Sequence, residues 1–202
     1  MKLYFAPGAC SMAPHIALRE TGATFDLEKV DLAQHKTASG EDYTKINPKG
    51  YVPTLKLDDG GVLTEVGTVL QYLADRKPDS GLAPGMGTME RYRLMEWLNF
   101  ISSEIHKAFA PLWKDDTPDA TKQAAKTQLA RRFDYVESHL GERPWLMGDK
   151  FTVADIYLFV IVNWTNLKNI DISKWGKLKD FMSRVAARPK VQEAMKAEGL
   201  VK

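Results

Sequence analysis

A segment rich in proline and glycine divides this chain of 202 residues into two parts with different structural patterns. Residues 78–87 contain five Pro or Gly residues, a composition typical of a linker. Before this segment, short strand patterns alternate with helical ones. After it, only helical periods remain. We therefore predict an α/β domain over residues 1–77, a linker over 78–87 and an all-helical domain over 88–202.

The first part predicts the element order βαβαββα, which is that of a thioredoxin-like domain. Its strands are expected at Leu3–Phe5, Phe25–Val30, Pro53–Leu57 and Val62–Thr64, the last two forming a hairpin around an Asp-Gly turn. Helices are expected from Met12 to Thr21, over residues 39–46, and from Glu65 to just before Pro78. In the second part, helical periods cover residues 88–113, 119–140, 153–168, 174–187 and 190–197.

Composition excludes several classes of function. The net charge is only +2, from 28 basic and 26 acidic residues, which argues against a dedicated nucleic-acid or acidic-membrane surface. No apolar stretch has the length of a membrane span or of a signal-peptide core. The four histidines are scattered and there is one cysteine, so no metal site is expected. These features predict a protein of the reducing cytoplasm.

The single cysteine, Cys10, lies between a predicted strand and the start of a predicted helix. Backbone N–H groups and the positive end of the helix dipole both favour a thiolate there, so its pKa is expected to fall below that of a free cysteine. With no second cysteine in the chain, it can form a disulfide only with an external thiol. The alternative is an inert, buried cysteine that packs like a small hydrophobe, and the position alone leaves both interpretations open.

Two short motifs in the first part suggest ligand contacts. Pro53 opens a strand, and in a thioredoxin-like fold a cis-proline beside the active cysteine leaves the backbone of the preceding residue, Val52, free to pair with a peptide. Glu65 begins a helix, where its carboxylate either compensates the helix dipole or binds a ligand ammonium while adjacent N–H groups receive a carboxylate.

The second part carries a polar stripe and a helix-start motif. Asn99, Ser103 and His106 share one helix face, which is either a solvent-facing edge or the lining of a cleft where His106 stabilises a thiolate or relays its proton. Thr152 and Asp155 have the spacing of a capping box that starts a buried helix. Four aromatic residues are expected in the core, some of which would wall an apolar pocket: Phe109, Trp113, Tyr157 and Trp164.

Taken together, these motifs resemble a bacterial glutathione transferase of the beta class over essentially the whole chain. The resemblance rests on segments of both parts: Tyr4 with Pro7-Gly8-Ala9-Cys10-Ser11, residues 15–20, Asn47 to Pro53, Leu63-Thr64-Glu65, residues 71–75, Glu96 to His106, Phe151 to Phe159, Arg188-Pro189 and residues 197–200. The pair of Cys10 and His106 is the feature specific to this class. The resemblance implies the glutathione transferase fold, with glutathione as cosubstrate and a small hydrophobic electrophile as second substrate.

The resemblance also assigns residues to roles. Cys10 would bind glutathione, often as a mixed disulfide, with His106 close to the sulfur. Val52, before a cis-Pro53, would pair with the cysteinyl backbone, and Glu65 with the amide of Val66 would hold the γ-glutamyl end. Asn99 and Ser103 would face the same cleft, and Glu104 would approach the tripeptide bound to the other subunit of a homodimer. Independently of the resemblance, we predict an apolar-substrate pocket at Phe109, Trp113 and Trp164.

Two positions depart from the family pattern. His35 stands where members often carry a lysine that binds the glycyl carboxylate, although Lys36 offers a substitute, and Val66 stands where serine or glycine is usual. We therefore predict weaker glutathione affinity than is typical. The expected activities are conjugation and thiol–disulfide exchange through Cys10. The alternatives are a protein that binds glutathione or hydrophobic ligands without turnover, as in stress protection, and an interaction subunit with an inert cysteine.

Overall fold

The computed structural model describes residues 1–201, which form two compact units. The first unit comprises residues 1–83 and the segment from residue 187 onward, and the second comprises residues 84–186. This grouping differs from the sequence-based boundaries, which place residues 88–202 in one helical domain. The reason is that the last helix packs against the first helix of the chain, so its buried side chains belong to the core of the first unit.

The first unit is built on one mixed, five-stranded sheet. Its strand order is β3-β2-β1-β4-β5, in which β1 is parallel to β2, and β4 is antiparallel to both β1 and β5. The elements are β1 (Lys2–Phe5), α1 (Met12–Glu20), β2 (Asp26–Asp31), β3 (Lys36–Thr37), β4 (Thr54–Lys56), β5 (Val62–Thr64), α2 (Val66–Arg76) and α7 (Pro189–Ala197). The predicted thioredoxin-like class is confirmed.

The helix predicted over residues 39–46 is wrong in extent. Only a 3-10 turn, Tyr43–Lys45, forms there. The Asp42 carboxylate accepts hydrogen bonds from both the backbone N–H and the hydroxyl of Thr44, and such local bonds compete with a helix. Pro48 then disfavours helical geometry in the residue before it.

A buried carboxylate fastens α7 to the turn that precedes α1. Glu198 Oε1 lies 2.8 Å from His15 Nδ1, and Glu198 Oε2 accepts a hydrogen bond of 2.9 Å from the backbone N–H of Gly8. Arg19 Nε donates to the other ring nitrogen of His15 at 2.9 Å. The side chains of His15 and Glu198 are fully buried, so this network fixes the backbone just before Cys10.

The second unit is helical, and its longest predicted helix is interrupted. Its regular helices are α3 (Met89–Phe100), α4 (Asp119–Leu140), α5 (Val153–Leu167) and α6 (Gly176–Ala186). The single helix expected over residues 88–113 ends at Phe100 and continues as a wide π-helical turn, Ile101–His106, and a 3-10 segment, Lys107–Leu112. Because π-helical turns occur often at functional sites, the position of His106 at the end of this one is notable.

The predicted capping box at the start of α5 is confirmed. Asp155 Oδ2 accepts from the backbone N–H of Thr152 at 2.8 Å and from its hydroxyl at 3.0 Å, and Oδ1 accepts from the N–H of Leu146 at 2.8 Å. Burial raises the pKa of Asp155 to about 6 against the effect of these bonds, so the carboxylate is still mostly ionised at neutral pH. Its removal would leave buried N–H groups without acceptors, at about 1–3 kcal/mol each.

Candidate functional site

Cys10 lies in the turn between β1 and α1, beside the loop before β4. Its thiol donates a hydrogen bond of 3.2 Å to the backbone carbonyl of Val52. Ser11 stabilises the turn, because its hydroxyl bonds both the N–H and the carbonyl of Ala6. Gly8 supports the same turn with a φ of 70°, a backbone conformation that favours glycine.

The prediction that the pKa of Cys10 is lowered is wrong. Burial, with a smaller contribution from the negative charge of Glu65, raises the pKa of the thiol to about 12. The N–H groups of Cys10 and Ser11 act in the opposite direction, as expected near a helix start. Their effect is smaller because the buried sulfur loses more by desolvation of its thiolate than these donors return. The thiol is therefore protonated at neutral pH.

The loop that carries Val52 is held by side chains the sequence analysis did not select. Asn47 Nδ2 donates to the carbonyl of Tyr51 at 2.8 Å, and the buried Tyr43 donates from its hydroxyl to the same carbonyl at 3.1 Å. The peptide bond between Val52 and Pro53 is cis, as expected for a thioredoxin-like fold. The Val52 carbonyl is thus presented toward Cys10 by a loop that is anchored at several points.

Glu65 and Val66 lie at the start of α2. Val66 is the first residue of the helix, and Glu65 precedes it with a φ of 68°, which is uncommon for a residue other than glycine. The Glu65 side chain makes no capping bond to the helix. Instead, its Oε1 accepts from Lys49 Nζ at 2.5 Å and from the Tyr51 hydroxyl at 2.8 Å. This contact with Glu65 raises the pKa of both Lys49 and Tyr51.

His35 occupies an exposed position before β3 and also has a positive φ, of 51°. Its ring lies against Gly50. A Cβ atom at Gly50 would lie 3.0 Å from His35 Cε1, and Gly50 has a φ of 73°, a conformation that favours glycine. The imidazole is therefore placed over the loop that leads to Lys49 and Val52.

In the second unit, the polar stripe spans the end of α3 and the π-helical turn. Asn99 and Ser103 are exposed, and the Ser103 hydroxyl donates to the Asn99 carbonyl at 2.9 Å. Glu104 forms an ion pair of 2.6 Å with Arg132 of α4. His106 is half-buried, and its Nδ1 lies 2.8 Å from the hydroxyl of Tyr157 on α5.

The predicted aromatic residues form one cluster around Trp164. The ring centroids of Phe109, Trp113 and His106 lie 5.5, 5.2 and 4.9 Å from that of Trp164, all close to edge-to-face. Trp113 is 43% exposed, whereas Phe109 is buried. Tyr157 is a core residue as expected, but its contact with His106 was not predicted, because spacing shows only that both residues lie in helices.

The candidate residues are divided between the two units. Cys10, Val52, Pro53, Glu65 and Val66 belong to the first unit, whose Cys10–Val52 contact is direct. Those of the second unit are the stripe, the ion-paired Glu104 and the cluster around Trp164. Within residues 1–201, no three or more His, Cys, Asp or Glu side chains are grouped as metal ligands, and no helix is both long and apolar enough to cross a membrane.

The second unit also contains a cavity of about 650 Å3 between α3 and α4, which none of the predicted site residues lines. Aromatic rings and guanidinium groups dominate its wall. These side chains are Trp97, Phe100, Tyr135, His139, Arg93, Arg132 and Arg143.

The protonation state of Cys10 can be tested through its reactivity in the ligand-free protein. Because only the thiolate reacts and burial raises the pKa, the rate of alkylation by iodoacetamide should keep rising with pH beyond about 8.5, the pKa of a free cysteine. Mass spectrometry of samples in which the reaction is quenched at successive times gives this rate, with a cysteine peptide as control. A rate that already reaches its plateau by pH 7 would contradict the raised pKa.

Two models of known protein families match this chain. Residues 8–76 match the family model for the glutathione S-transferase N-terminal domain, and residues 100–189 match that for the glutathione S-transferase C-terminal domain. The first match contains Cys10, Val52 and Glu65, and the second contains Ser103, His106 and Trp164.

Individual relatives match over nearly the full length. The glutathione S-transferase GstA of Escherichia coli O157:H7 is 45% identical over 200 residues, which cover 99% of this chain and all of the relative. The crystal structure of a glutathione transferase from Methylococcus capsulatus strain Bath is 59% identical, with a TM-score of 0.98 and 99% of both chains covered. The beta-class glutathione S-transferase of Sphingomonas chungbukensis is 50% identical, with a TM-score of 0.97 and both chains fully covered. The chain therefore belongs to the glutathione S-transferase family, as a bacterial beta-class transferase with glutathione as its cosubstrate.

Proposed function

We propose that glutathione lies along the first unit with its sulfur beside Cys10, and that His106 acts on the same sulfur. The observation that carries this proposal is the 3.2 Å contact between Cys10 Sγ and the Val52 carbonyl. A cysteinyl backbone paired with Val52 would bring its own sulfur next to Cys10. Its N–H would then replace the Cys10 thiol as the donor to the Val52 carbonyl.

The γ-glutamyl end of glutathione would occupy the start of α2. Its carboxylate would accept from the N–H of Val66, where the first N–H groups of a helix have no intrahelical partner. Its ammonium would bind Glu65. The pairing of Glu65 with the Lys49 ammonium supports this role, since the carboxylate is already placed to receive a cation. Asn99 and Ser103 would complete the cleft.

At the glycyl end, His35 and Lys36 are the proposed partners of the second carboxylate. A neutral imidazole holds a carboxylate less firmly than an ammonium does. Val66 offers an N–H but no hydroxyl to the other end of the tripeptide. The reduced glutathione affinity expected from these two residues stays a prediction.

For conjugation, the protonated Cys10 thiol would act as a hydrogen-bond donor. At neutral pH the glutathione sulfur is the atom that must become a thiolate and attack the electrophile. A neighbouring S–H stabilises that thiolate, whereas a Cys10 thiolate would repel it. His106 would accept the proton released from glutathione, and its contact with Tyr157 holds the ring in place for this step.

Thiol–disulfide exchange would use Cys10 as a nucleophile instead. The Cys10 thiolate attacks a disulfide that contains a glutathionyl sulfur, so that a Cys10–glutathione disulfide forms and the other sulfur leaves as a thiolate. A second glutathione thiolate then attacks the adduct, releases glutathione disulfide and restores the Cys10 thiolate. Because this route requires a Cys10 thiolate, its rate should rise with pH. The reduced glutathione of the cytoplasm would support both reactions, and we propose that compartment.

The electrophile would bind at the cluster around Trp164. Phe109 and Trp164 supply buried apolar surface, and the partly exposed Trp113 ring supplies a face that a flat substrate can stack on. Small hydrophobic electrophiles such as aryl halides or organic peroxides fit these requirements. His106 contacts the same cluster, which supports an arrangement in which the attacked atom lies close to the proton acceptor.

We further propose a homodimer in which Glu104 approaches the glutathione bound to the partner subunit. The ion pair with Arg132 would hold Glu104 in place for that contact. The aromatic and arginine-rich cavity between α3 and α4 is a surface that a second copy would cover.

Sedimentation equilibrium should give twice the chain mass of 22.7 kDa, whereas the mass of a single chain would contradict the proposal.

The two reactions can be separated with Cys10→Ala. We expect loss of glutathione-dependent disulfide reduction, since the chain then has no sulfur nucleophile of its own. Aryl-halide conjugation should fall by no more than about tenfold, because one weak hydrogen-bond donor is lost. Initial rates with a mixed glutathionyl disulfide and with 1-chloro-2,4-dinitrobenzene measure both.

Cys10→Ser is the matched control, because its hydroxyl still donates a hydrogen bond. It should conjugate nearly as well as the unchanged protein and lack exchange activity. Disulfide exchange by Cys10→Ala would contradict the role of Cys10 as nucleophile. Loss of all conjugation in both Cys10→Ala and Cys10→Ser would contradict its role as a hydrogen-bond donor. Saturable glutathione binding without turnover of either substrate class would instead favour a binding protein.

A further inference from the structure

The carboxylate of Glu65 pairs with the ammonium of Lys49. Lys49 Nζ lies 2.5 Å from Glu65 Oε1 and also donates to the Thr64 hydroxyl at 3.0 Å. The Tyr51 hydroxyl donates to the same carboxylate oxygen at 2.8 Å. Two donor groups of the loop before β4 thus make three hydrogen bonds to one short segment before α2.

The backbone of Lys49 is fixed, whereas its side chain is free to move away. The N–H of Lys49 donates to the side-chain carbonyl of Asn47, and the buried Asn47 side chain also bonds the Tyr51 carbonyl. The side chains of Lys49 and Glu65 are 47% and 53% exposed. An ion pair in such surroundings is weak, since water and salt compensate both charges once they separate.

We propose that Lys49 is an intramolecular competitor for the cation-binding position on Glu65, and that a ligand ammonium must displace it. This inference rests on the proposed function, in which Glu65 binds the γ-glutamyl ammonium of glutathione. The lysine ammonium and the ligand ammonium are chemically equivalent partners for the carboxylate. Occupation by one therefore opposes occupation by the other.

Displacement leaves the rest of the site in place. Tyr51 continues to hold the carboxylate after Lys49 has left, so Glu65 stays oriented toward the ligand. The charge on Glu65 also stays compensated, because one ammonium replaces another. This matters at Cys10, where the negative charge of Glu65 disfavours the thiolate. The exchange of cations thus changes glutathione affinity without changing the charge that faces the thiol.

The test is calorimetric titration of Lys49→Met with glutathione. Removing an exposed competitor should tighten binding by about twofold to fivefold, the range that an exposed ion pair supports. N-acetylglutathione, which lacks the ammonium, should bind the unchanged protein and Lys49→Met alike. Lys45→Met is the matched control, since it removes an exposed lysine from the 3-10 turn Tyr43–Lys45, which precedes the same loop.

Weaker or unchanged glutathione binding by Lys49→Met would overturn the inference. Weaker binding would mean that Lys49 holds a ligand carboxylate instead. An equal gain in glutathione affinity with Lys45→Met would also overturn it, because the effect would then follow from the loss of any positive charge in this region.

The variant Glu65→Gln separates this inference from the proposed function. If Glu65 binds the ammonium, Glu65→Gln should weaken glutathione binding, and Lys49→Met should have no further effect in that background. If Glu65→Gln binds glutathione as well as the unchanged protein, the role of Glu65 in the proposed function fails and the competition fails with it. If Glu65→Gln weakens binding but Lys49→Met does not tighten it, only the competition is wrong.

Discussion

The buried Glu198 carboxylate is the contact on which the geometry of the thiol depends. Its two oxygens join His15 of α1 to the N–H of Gly8, two residues before Cys10. A buried charge is tolerated only where it is paired and hydrogen-bonded, and here histidine, a backbone donor and the supporting Arg19 meet that requirement. The end of the chain therefore determines the shape of a turn near its beginning. The ion pair between Arg188 and Glu20, with bonds of 2.8 and 3.0 Å, adds a second link between the same helices.

The electrostatics of Cys10 follow from a competition between two effects of its position. A helix start favours the thiolate, and burial disfavours it. Burial is the larger effect, with the charge of Glu65 adding to it. A thiol that keeps its proton suits the donation of a hydrogen bond to a glutathione thiolate better than it suits attack on a disulfide. The same environment that makes Cys10 a poor nucleophile at neutral pH thus fits its proposed role as a hydrogen-bond donor in conjugation.

The fold was largely predictable because its signals are local. The alternation around Leu3 and Val30, the Asp-Gly hairpin and the spacing of Thr152 and Asp155 each report on residues that are neighbours in sequence. Contacts between distant segments gave no such signal. The attachment of α7 to α1 depends on a carboxylate 183 residues from its histidine partner. The interruption of the helix after Phe100 was hidden because apolar residues such as Leu98 and Ile105 keep a near-helical spacing through the π-helical turn.

The residues of the candidate site could be predicted from the sequence, but their protonation and orientation could not. Residue types and motifs selected Cys10, Glu65 and His106, but not the groups that determine their charge and orientation. Lys49 and Tyr51 reach Glu65 only because the loop before β4 folds beside α2. Tyr157 of α5 contacts His106 at the end of the π-helical turn, although 51 residues separate them in sequence. A desolvation effect such as that on Cys10 cannot be read from the position of a residue at a helix start, because it depends on everything that covers the sulfur.

Cys10 and His106 are proposed to act on one glutathione sulfur. The most direct measurement is the pKa of the bound glutathione thiol, obtained from ultraviolet difference spectra of the thiolate as a function of pH. We expect a pKa below that of free glutathione in the unchanged protein, and a return toward the free value in both Cys10→Ala and His106→Phe. A pKa that is lowered equally in His106→Phe and in the unchanged protein would contradict it.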